Sequence, residues 1–401
     1  MEVRIGDSIE CNPTVKLVKG NEYPLIDIDK ITVGRKLVTN KDTIVYEKQS
    51  GCKFQNGDTL MARITPCLEN GKMAMASIPD KGIGSTELFV FRGKKGITDN
   101  DFVYYFLKQS YIRNLAANSM TGASGRQRAD LKFIKKIKFD LPSLPTQQKI
   151  ATILSAYDRL IENNTRRIRL LEQMAENLYK EWFVRFRFPE HEKVEMVNGL
   201  PKGWETIHIK ELAQLKSGYA FKSEWFVEEG EAVAKIKDIG NILMDTSSFS
   251  YVDKENCIKA KKFLLTTGDL TIALTGATIG KISIVPKHKG NIYTNQRLGK
   301  FFLGDKPMEK LPFLYCLFKQ ESMVSNIVNL SNSSSAQPNI IPEQIEKIKI
   351  LGNHDIISMY NKTCNPLFSN ILALYSQNQL LTRQRDLLLP RLMSGKLEVK
   401  S

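Results

Sequence analysis

"FVYYFLKQ" (residues 102–109) and "FLYCLFKQ" (residues 313–320) carry one helical pattern twice, 211 positions apart. The same offset upstream pairs "NGDTLMA" (56–62) with "TGDLTIA" (267–273), and downstream "KIK" recurs at 136–138 and 347–349. A repeat that long is a whole domain occurring twice. Each copy runs in one order. Apolar, β-branched runs bounded by Gly-Asp and Gly-Lys come first and read as short strands. A helical stretch follows, at 102–115 or 311–328. Then comes a small-residue loop, "SMTGASGRQRAD" (119–130) or "SNSSSAQPN" (331–339), made of turn chemistry with no apolar face to bury.

The repeat also settles "TGATIGK" (275–281), which has the look of a phosphate-cradling loop. Such a loop needs four residues between its first glycine and its Gly-Lys, then Ser or Thr to hold magnesium. Here three residues separate Gly276 from Gly280, and Ile282 follows Lys281. Its counterpart in the first copy, "ITPCLENGK" (64–72), keeps only the closing Gly-Lys. A turn between two strands tolerates that change, and a phosphate cradle does not.

With 401 residues, 42% apolar and 25% charged, the composition is that of a globular chain of two or more domains. Windows of about 18 apolar residues are absent, as is a leader with an apolar core, so no membrane partner and a cytoplasmic location are expected. The six cysteines and four histidines are scattered singly, which offers no metal framework. The net charge of +15 is concentrated in residues 1–145, at +7, and 199–351, at +4. A basic excess in both repeats points to a polyanion, because phosphate neutralisation supplies most non-specific DNA affinity.

After each copy the apolar period changes to that of a long helix. From Ile150 the first seam runs through Leu154, Tyr157, Ile161, Ile168 and Leu178 to Trp182. The second runs from Ile357 through Tyr360, Cys364, Leu367, Ile371 and Leu381 to Leu388, with polar Asn378 and Arg385 in register. A seam this long needs a partner helix to cover it. The two helices are therefore expected to pair, with Asn164 and Asn378 as polar seam positions, and Pro366 to end or kink a segment of the second.

The helical motifs "LPSLPTQQKIATILSAYDRLIENNTRRIRLLEQMAENLYKEWFVRFRFP" (141–189) and "LLTRQRDLLLPRLMSGKLEV" (380–399) resemble those of the DNA-specificity (S) subunits of type I restriction–modification systems. "LPKGWETIHIKELAQLKSG" (200–218) looks like the opening of a second target-recognition domain of that family. The resemblance implies an α+β chain with two similar target-recognition domains and two long helices packed as an antiparallel coiled coil, in a pseudo-twofold body. The expected segments are 1–145, 146–190, 191–351 and 352–401. It implies a non-catalytic subunit without a cofactor of its own. Such a subunit binds double-stranded DNA at a bipartite, asymmetric target. It also recruits two methylation (M) subunits, which use S-adenosylmethionine, and restriction (R) subunits. The chain lacks an Asn-Pro-Pro-aromatic methylase motif, in line with that reading. A modification enzyme with its own recognition half and a coiled-coil adaptor binding only proteins remain the rival classes.

Base-edge or phosphate contacts are expected from Arg63, Arg126, Gln127 and Arg128 in the first domain, and from Lys222, Asn295, Gln296, Arg297 and Gln337 in the second. The exposed outer faces of the helices, including Trp182, Phe183 and Phe186, are expected to dock the M subunits.

Overall fold

The strands of the two repeats pair in one pattern, from which the rest of the architecture follows. The protein is described by a computed structural model covering residues 1–39, 41–123, 125–331 and 338–398. Its contacts divide the chain into Met1–Asn163 with Asn378–Ser401, and Asn164–Gln377, so the division cuts both long helices.

In the first unit a five-stranded sheet runs Ile9–Cys11, Leu88–Gly93, Thr59–Ala62, Met73–Ala76 and Leu37–Val38, antiparallel until the last, parallel pair. In the second, Gln214–Ser217, Leu298–Phe302, Leu270–Ala273 and Ile282–Ile284 repeat it, and Leu243 bridges Ile284 in parallel at the edge. A second sheet repeats as well. Thr43–Val45, Glu22–Ile26, Lys81–Gly84 and Cys52–Gln55 correspond to Ser250–Val252, Glu231–Ala234, Ile292–Thr294 and Leu264–Leu265, each set with a parallel central pair. "TLMA" and "LTIA" are buried at every position, which is why they read as unbroken apolar runs.

The repeated Gly-Asp is a strap at the start of those strands. Gly57 and Gly268 take φ of 83° and 90°, a region that favours glycine. The next residue, Asp58 or Asp269, is buried and accepts a backbone N–H three residues back, at 2.8 Å and 2.7 Å. Each carboxylate is neutralised by a strand cation, Arg92 at 2.7 Å and Lys300 at 2.6 Å.

The helical stretch of each copy, expected at 102–115 and 311–328, is built as two helices. Asn100–Lys108 and Ser110–Asn118 are separated at Gln109, and Leu311–Lys319 and Glu321–Ser331 at Gln320. Both glutamines leave helical space, at ψ of 137° and 134°. Their side-chain amides donate to carbonyls of the preceding turn, Phe106 at 3.2 Å and Cys316 at 2.8 Å, which satisfies orphaned acceptors.

The central helix spans Leu144–Tyr179 and continues as a π-turn over Lys180–Val184. Pro145 lies in its first turn, where a missing N–H costs nothing. The last helix runs unbroken over His354–Met393, capped by Asn353, whose Oδ1 accepts from the N–H groups of Asp355 and Ile356 at 3.0 and 3.1 Å. Pro366 therefore does not end a segment. It is exposed, so the carbonyl it strips of a partner faces water, while buried Cys364 and Phe368 anchor the opposite face.

The helices pair antiparallel within each unit. In the first, Arg385 pairs with Asp158, and Asn378 Nδ2 donates to the Ile161 carbonyl at 3.3 Å. In the second, Asn164 Nδ2 donates to Gln377 Oε1 at 3.0 Å and Tyr360 Oη to the Ala175 carbonyl at 2.7 Å. Each half-helix also joins its own domain's core: Ile150 and Leu154 lie against Phe102–Leu107 residues in one unit, Tyr179 and Tyr360 against Phe313 in the other. No described helix is long and apolar enough to cross a membrane.

Candidate nucleic-acid interface

Each domain carries a tight turn leading into an inner strand of its main sheet, second from the edge, and the loop after its helices is strapped beside that turn. In the first domain the turn is Ser85-Thr86-Glu87-Leu88. Leu88 N donates to the Ser85 carbonyl at 3.3 Å, and Glu87 N to Ser85 Oγ at 3.1 Å. In the second it is Asn295-Gln296-Arg297-Leu298, with the same two bonds at 2.9 and 3.4 Å, the side-chain acceptor now Asn295 Oδ1.

The surrounding bonds repeat as well. Arg63 N donates to the Glu87 carbonyl and Leu274 N to that of Arg297, both at 3.0 Å. Ala129 N donates to the Arg63 carbonyl at 2.8 Å, Ile340 N to that of Leu274 at 3.0 Å. Thr65 N donates to the Gln127 carbonyl and Gly276 N to that of Pro338, both at 3.0 Å. The correspondence is residue for residue: Glu87 with Arg297, Arg63 with Leu274, Arg128 with Asn339. Gly276 and Lys281 accordingly lie in the turn between strands Leu270–Ala273 and Ile282–Ile284, as expected.

The backbone frame is shared, but the side chains on it differ. Arg128 is held by Glu87 through Nε at 2.9 and 3.1 Å and Nη2 at 2.6 Å, and its Nη1 reaches the Arg126 carbonyl at 3.3 Å. Its donors are largely committed inside the turn. The Arg128 guanidinium, with Arg63 adding to it, holds the Glu87 carboxyl below the usual carboxylate range. Arg63 is half-buried: its guanidinium carbon lies 5.1 Å from the Phe89 ring centroid and its enclosed Nε has no hydrogen-bond partner. It lines a cleft of about 390 Å³ with Asn12, Thr14, Lys53 and Thr86. Arg126 is exposed on the strapped loop, and Gln127 is half-buried.

In the second domain Gln296 and Arg297 are exposed, and Arg297 makes no ion pair among the described residues. Asn295 is half-buried and gives its amide oxygen to the turn. Lys222 is brought close by Tyr219, whose carbonyl accepts from Gln296 N at 3.0 Å and whose ring stacks at 6.5 Å with Trp225. Lys222 Nζ lies 5.4 Å above that Trp225 ring. Gly218 permits the approach, because a Cβ there would lie 2.2 Å from the Thr294 carbonyl. Gln337 lies outside the described residues. Glu87, Tyr219 and Trp225 escaped the sequence reading. For Glu87 a signal existed, since "STEL" and "NQRL" both precede that inner strand, but their offset is 210 instead of 211.

The expected docking cluster is placed otherwise. Trp182 and Phe183 are 5% and 8% exposed, inside the second unit. Phe183 packs at 4.8 Å on Phe313 and 5.4 Å on Tyr360, and Trp182 at 5.7 Å on Tyr360. Phe186 is half-buried, edge-on to Trp204 at 4.9 Å. The π-turn carries these rings under the domain instead of outward, so Trp182 and Phe183 have no surface to offer a partner. Among the described residues no group of three or more His, Cys, Asp or Glu is placed to hold a metal ion.

The model of the "Type I restriction modification DNA specificity domain" matches residues 2–173 and 201–351 of the chain. A Methanocaldococcus jannaschii protein, "Type I restriction enzyme MjaVIII specificity subunit", is 29% identical over 365 residues, spanning 87% of this chain and 81% of its own. "Type I restriction enzyme HindI specificity subunit" of Haemophilus influenzae is 25% identical over 414 residues, spanning 86% and 87%. The crystal structure of a type I restriction–modification S subunit from M. genitalium aligns over 100% of this chain and 96% of its own. Its TM-score is 0.54 at 16% identity, a likeness of fold.

Proposed function

The chain belongs to the type I restriction–modification DNA specificity family, and from that premise we propose that its two domains read the two unlike halves of a bipartite, asymmetric DNA target. The observation that carries the reading is the shared turn. An identical backbone frame presents Glu87 and Arg128 in one domain and Arg297 and Asn339 in the other, so one docking mode meets two different base sequences. Phosphate contacts fix register and base-edge contacts specify sequence. Arg126 and Lys222, exposed at the margins, suit the first task; Arg297, Gln296 and Gln127 suit the second. Arg63 and Arg128, largely held by their own domain, act mainly by shaping the turn.

The chain is a recognition subunit in this reading and performs no chemistry. Adenine methylation comes from two M subunits with S-adenosylmethionine, and cleavage from R subunits, in a cytoplasmic complex. Exposed apolar residues of the helices, Leu160, Leu380 and Leu387 in one unit and Leu170 and Met174 in the other, take the docking role in place of Trp182 and Phe183.

Exchanging residues 1–140 for the first domain of another family member, with methylated adenines then mapped for the full complex, tests the independence of the halves. One half of the target changes and the other stays. A simultaneous change in both halves would refute separate readout.

A further inference from the structure

Position 87 and position 297 are the same place in the repeated frame, and they carry opposite charges. In the first domain both oxygens of the Glu87 carboxylate accept from Arg128, Oε1 from Nε and Nη2 and Oε2 from Nε alone, which leaves Oε2 with a lone-pair direction to spare. The partly exposed carboxylate, 23% open to solvent, stands between exposed Thr86 and the strapped loop carrying Arg126. Arg128, its Nε and Nη2 bound to Glu87, serves as a brace that fixes where that lone pair points. In the second domain the brace is absent, because the position of Arg128 is taken by Asn339, which bridges Thr275 through its backbone. Arg297 projects a guanidinium fork from the equivalent point, with no ion pair among the described residues.

We propose that this turn position is the specificity-determining position of each domain: Glu87 presents an acceptor to an amino-bearing base edge, cytosine N4 or adenine N6, and Arg297 presents a two-pronged donor to guanine O6 and N7. The proposal rests on the reading of the chain as a DNA specificity subunit. Its chemistry follows from the major-groove code, in which guanine alone offers two adjacent acceptors and only cytosine and adenine offer an amino donor. Three of the five Arg128 N–H donors are taken inside the domain, Nε and Nη2 by Glu87 and Nη1 by the Arg126 carbonyl, which fixes Arg128 as the brace of the turn.

The test is selection of target sites from a randomised duplex library by the complete methyltransferase complex, comparing wild type with Arg297→Gln, Arg297→Lys and Glu87→Gln. Arg297→Gln lowers preference for guanine at one position in one half-site about tenfold or more, leaving the other half unaltered. Arg297→Lys, which keeps the charge but not the planar fork, weakens that guanine preference less than Arg297→Gln does, while its salt dependence stays that of wild type. Glu87→Gln relaxes a cytosine-or-adenine preference at one position in the opposite half. Arg297 is exposed and unpaired, so its variants keep the fold, and a matched melting curve checks this. Unchanged base preferences in all three variants overturn the proposal. So does a uniform loss of affinity across all sequences, which marks a phosphate contact. A wild-type complex that selects no sequence is a different failure, and it strikes the specificity-subunit reading itself.

Discussion

Replacing Asp158 with Ala removes the carboxylate that neutralises a nearly inaccessible arginine. Arg385 is 2% exposed and Asp158 8%. Arg385 Nη1 bonds Asp158 Oδ1, while Nε and Nη2 bond Asp386 at 2.9 and 2.8 Å. Tyr105 Oη donates to the other Asp158 oxygen. Breaking a buried pair from one side typically costs 3–5 kcal/mol, because it strands a desolvated charge. Asp386 is half-exposed and stays in place, so the cost falls at the low end, about 3 kcal/mol. Replacing both partners, as Asp158→Leu with Arg385→Met, strands no charge and leaves only the Tyr105 hydroxyl, 3.5 Å from Ser155 Oγ, without its acceptor, so most of the loss is recovered. Intrinsic fluorescence cannot follow the effect, because Trp182, Trp204 and Trp225 all lie in the other unit. The assay is amide hydrogen exchange of the Asn100–Lys108 helix in the full chain, which carries Tyr105. Protection there falls roughly a hundredfold in Asp158→Ala and recovers in the double variant. A fall under about fivefold (1 kcal/mol), or a double variant as weak as the sum of the singles, refutes the reasoning.

Lys108 gives a pH-dependent counterpart in the same unit: its stem is partly exposed, but its Nζ is enclosed without a partner, and burial pushes its pKa down to about 8. Below that value the folded state carries the full cost of the buried charge; between about 8 and the unfolded value of about 10.4 the cost is progressively relieved, so stability rises with pH. Lys108→Met is expected to stabilise this unit at pH 7 by on the order of 2 kcal/mol and to flatten the rise above pH 8, both read by exchange or urea titration. Lys281, at the end of a strand-connecting turn, is expected to be dispensable: Lys281→Ala leaves ATP use by a complete restriction complex unchanged, and the chain alone shows no methylation with S-adenosylmethionine. A loss of ATP use in that variant would reinstate a nucleotide role for the loop.

The parts of this fold that were legible from sequence are those set by periodicity and by repetition. The Gly-Asp straps, the strand-connecting turns and the long helices each leave a pattern that one chain compared with itself reveals. The misreadings have separate physical causes. Gln109 and Gln320 sit inside unbroken helical periodicity, and what ends each helix there is a side-chain amide returning to its own last turn. No apolar count reports that bond. Pro366 looks like a breaker because propensity is local, whereas two buried anchors on the opposite face hold the helix across it. Trp182 and Phe183 continue the seam, and a seam shows which face is covered but not what covers it. Past the π-turn over Lys180–Val184 the rings keep Tyr360 of the partner helix, and Phe183 also meets Phe313 and Trp204, so the seam passes into a domain core. The recognition turns fail for yet another reason. Apart from the Ser85 and Asn295 side-chain acceptors, their frame is made of backbone bonds that any residue can make, which is the property that lets Glu87 and Arg297 occupy one position. A frame indifferent to the side chains at its second and third positions leaves almost no trace in sequence, and in the proposed reading that indifference is what lets one scaffold meet two different half-sites.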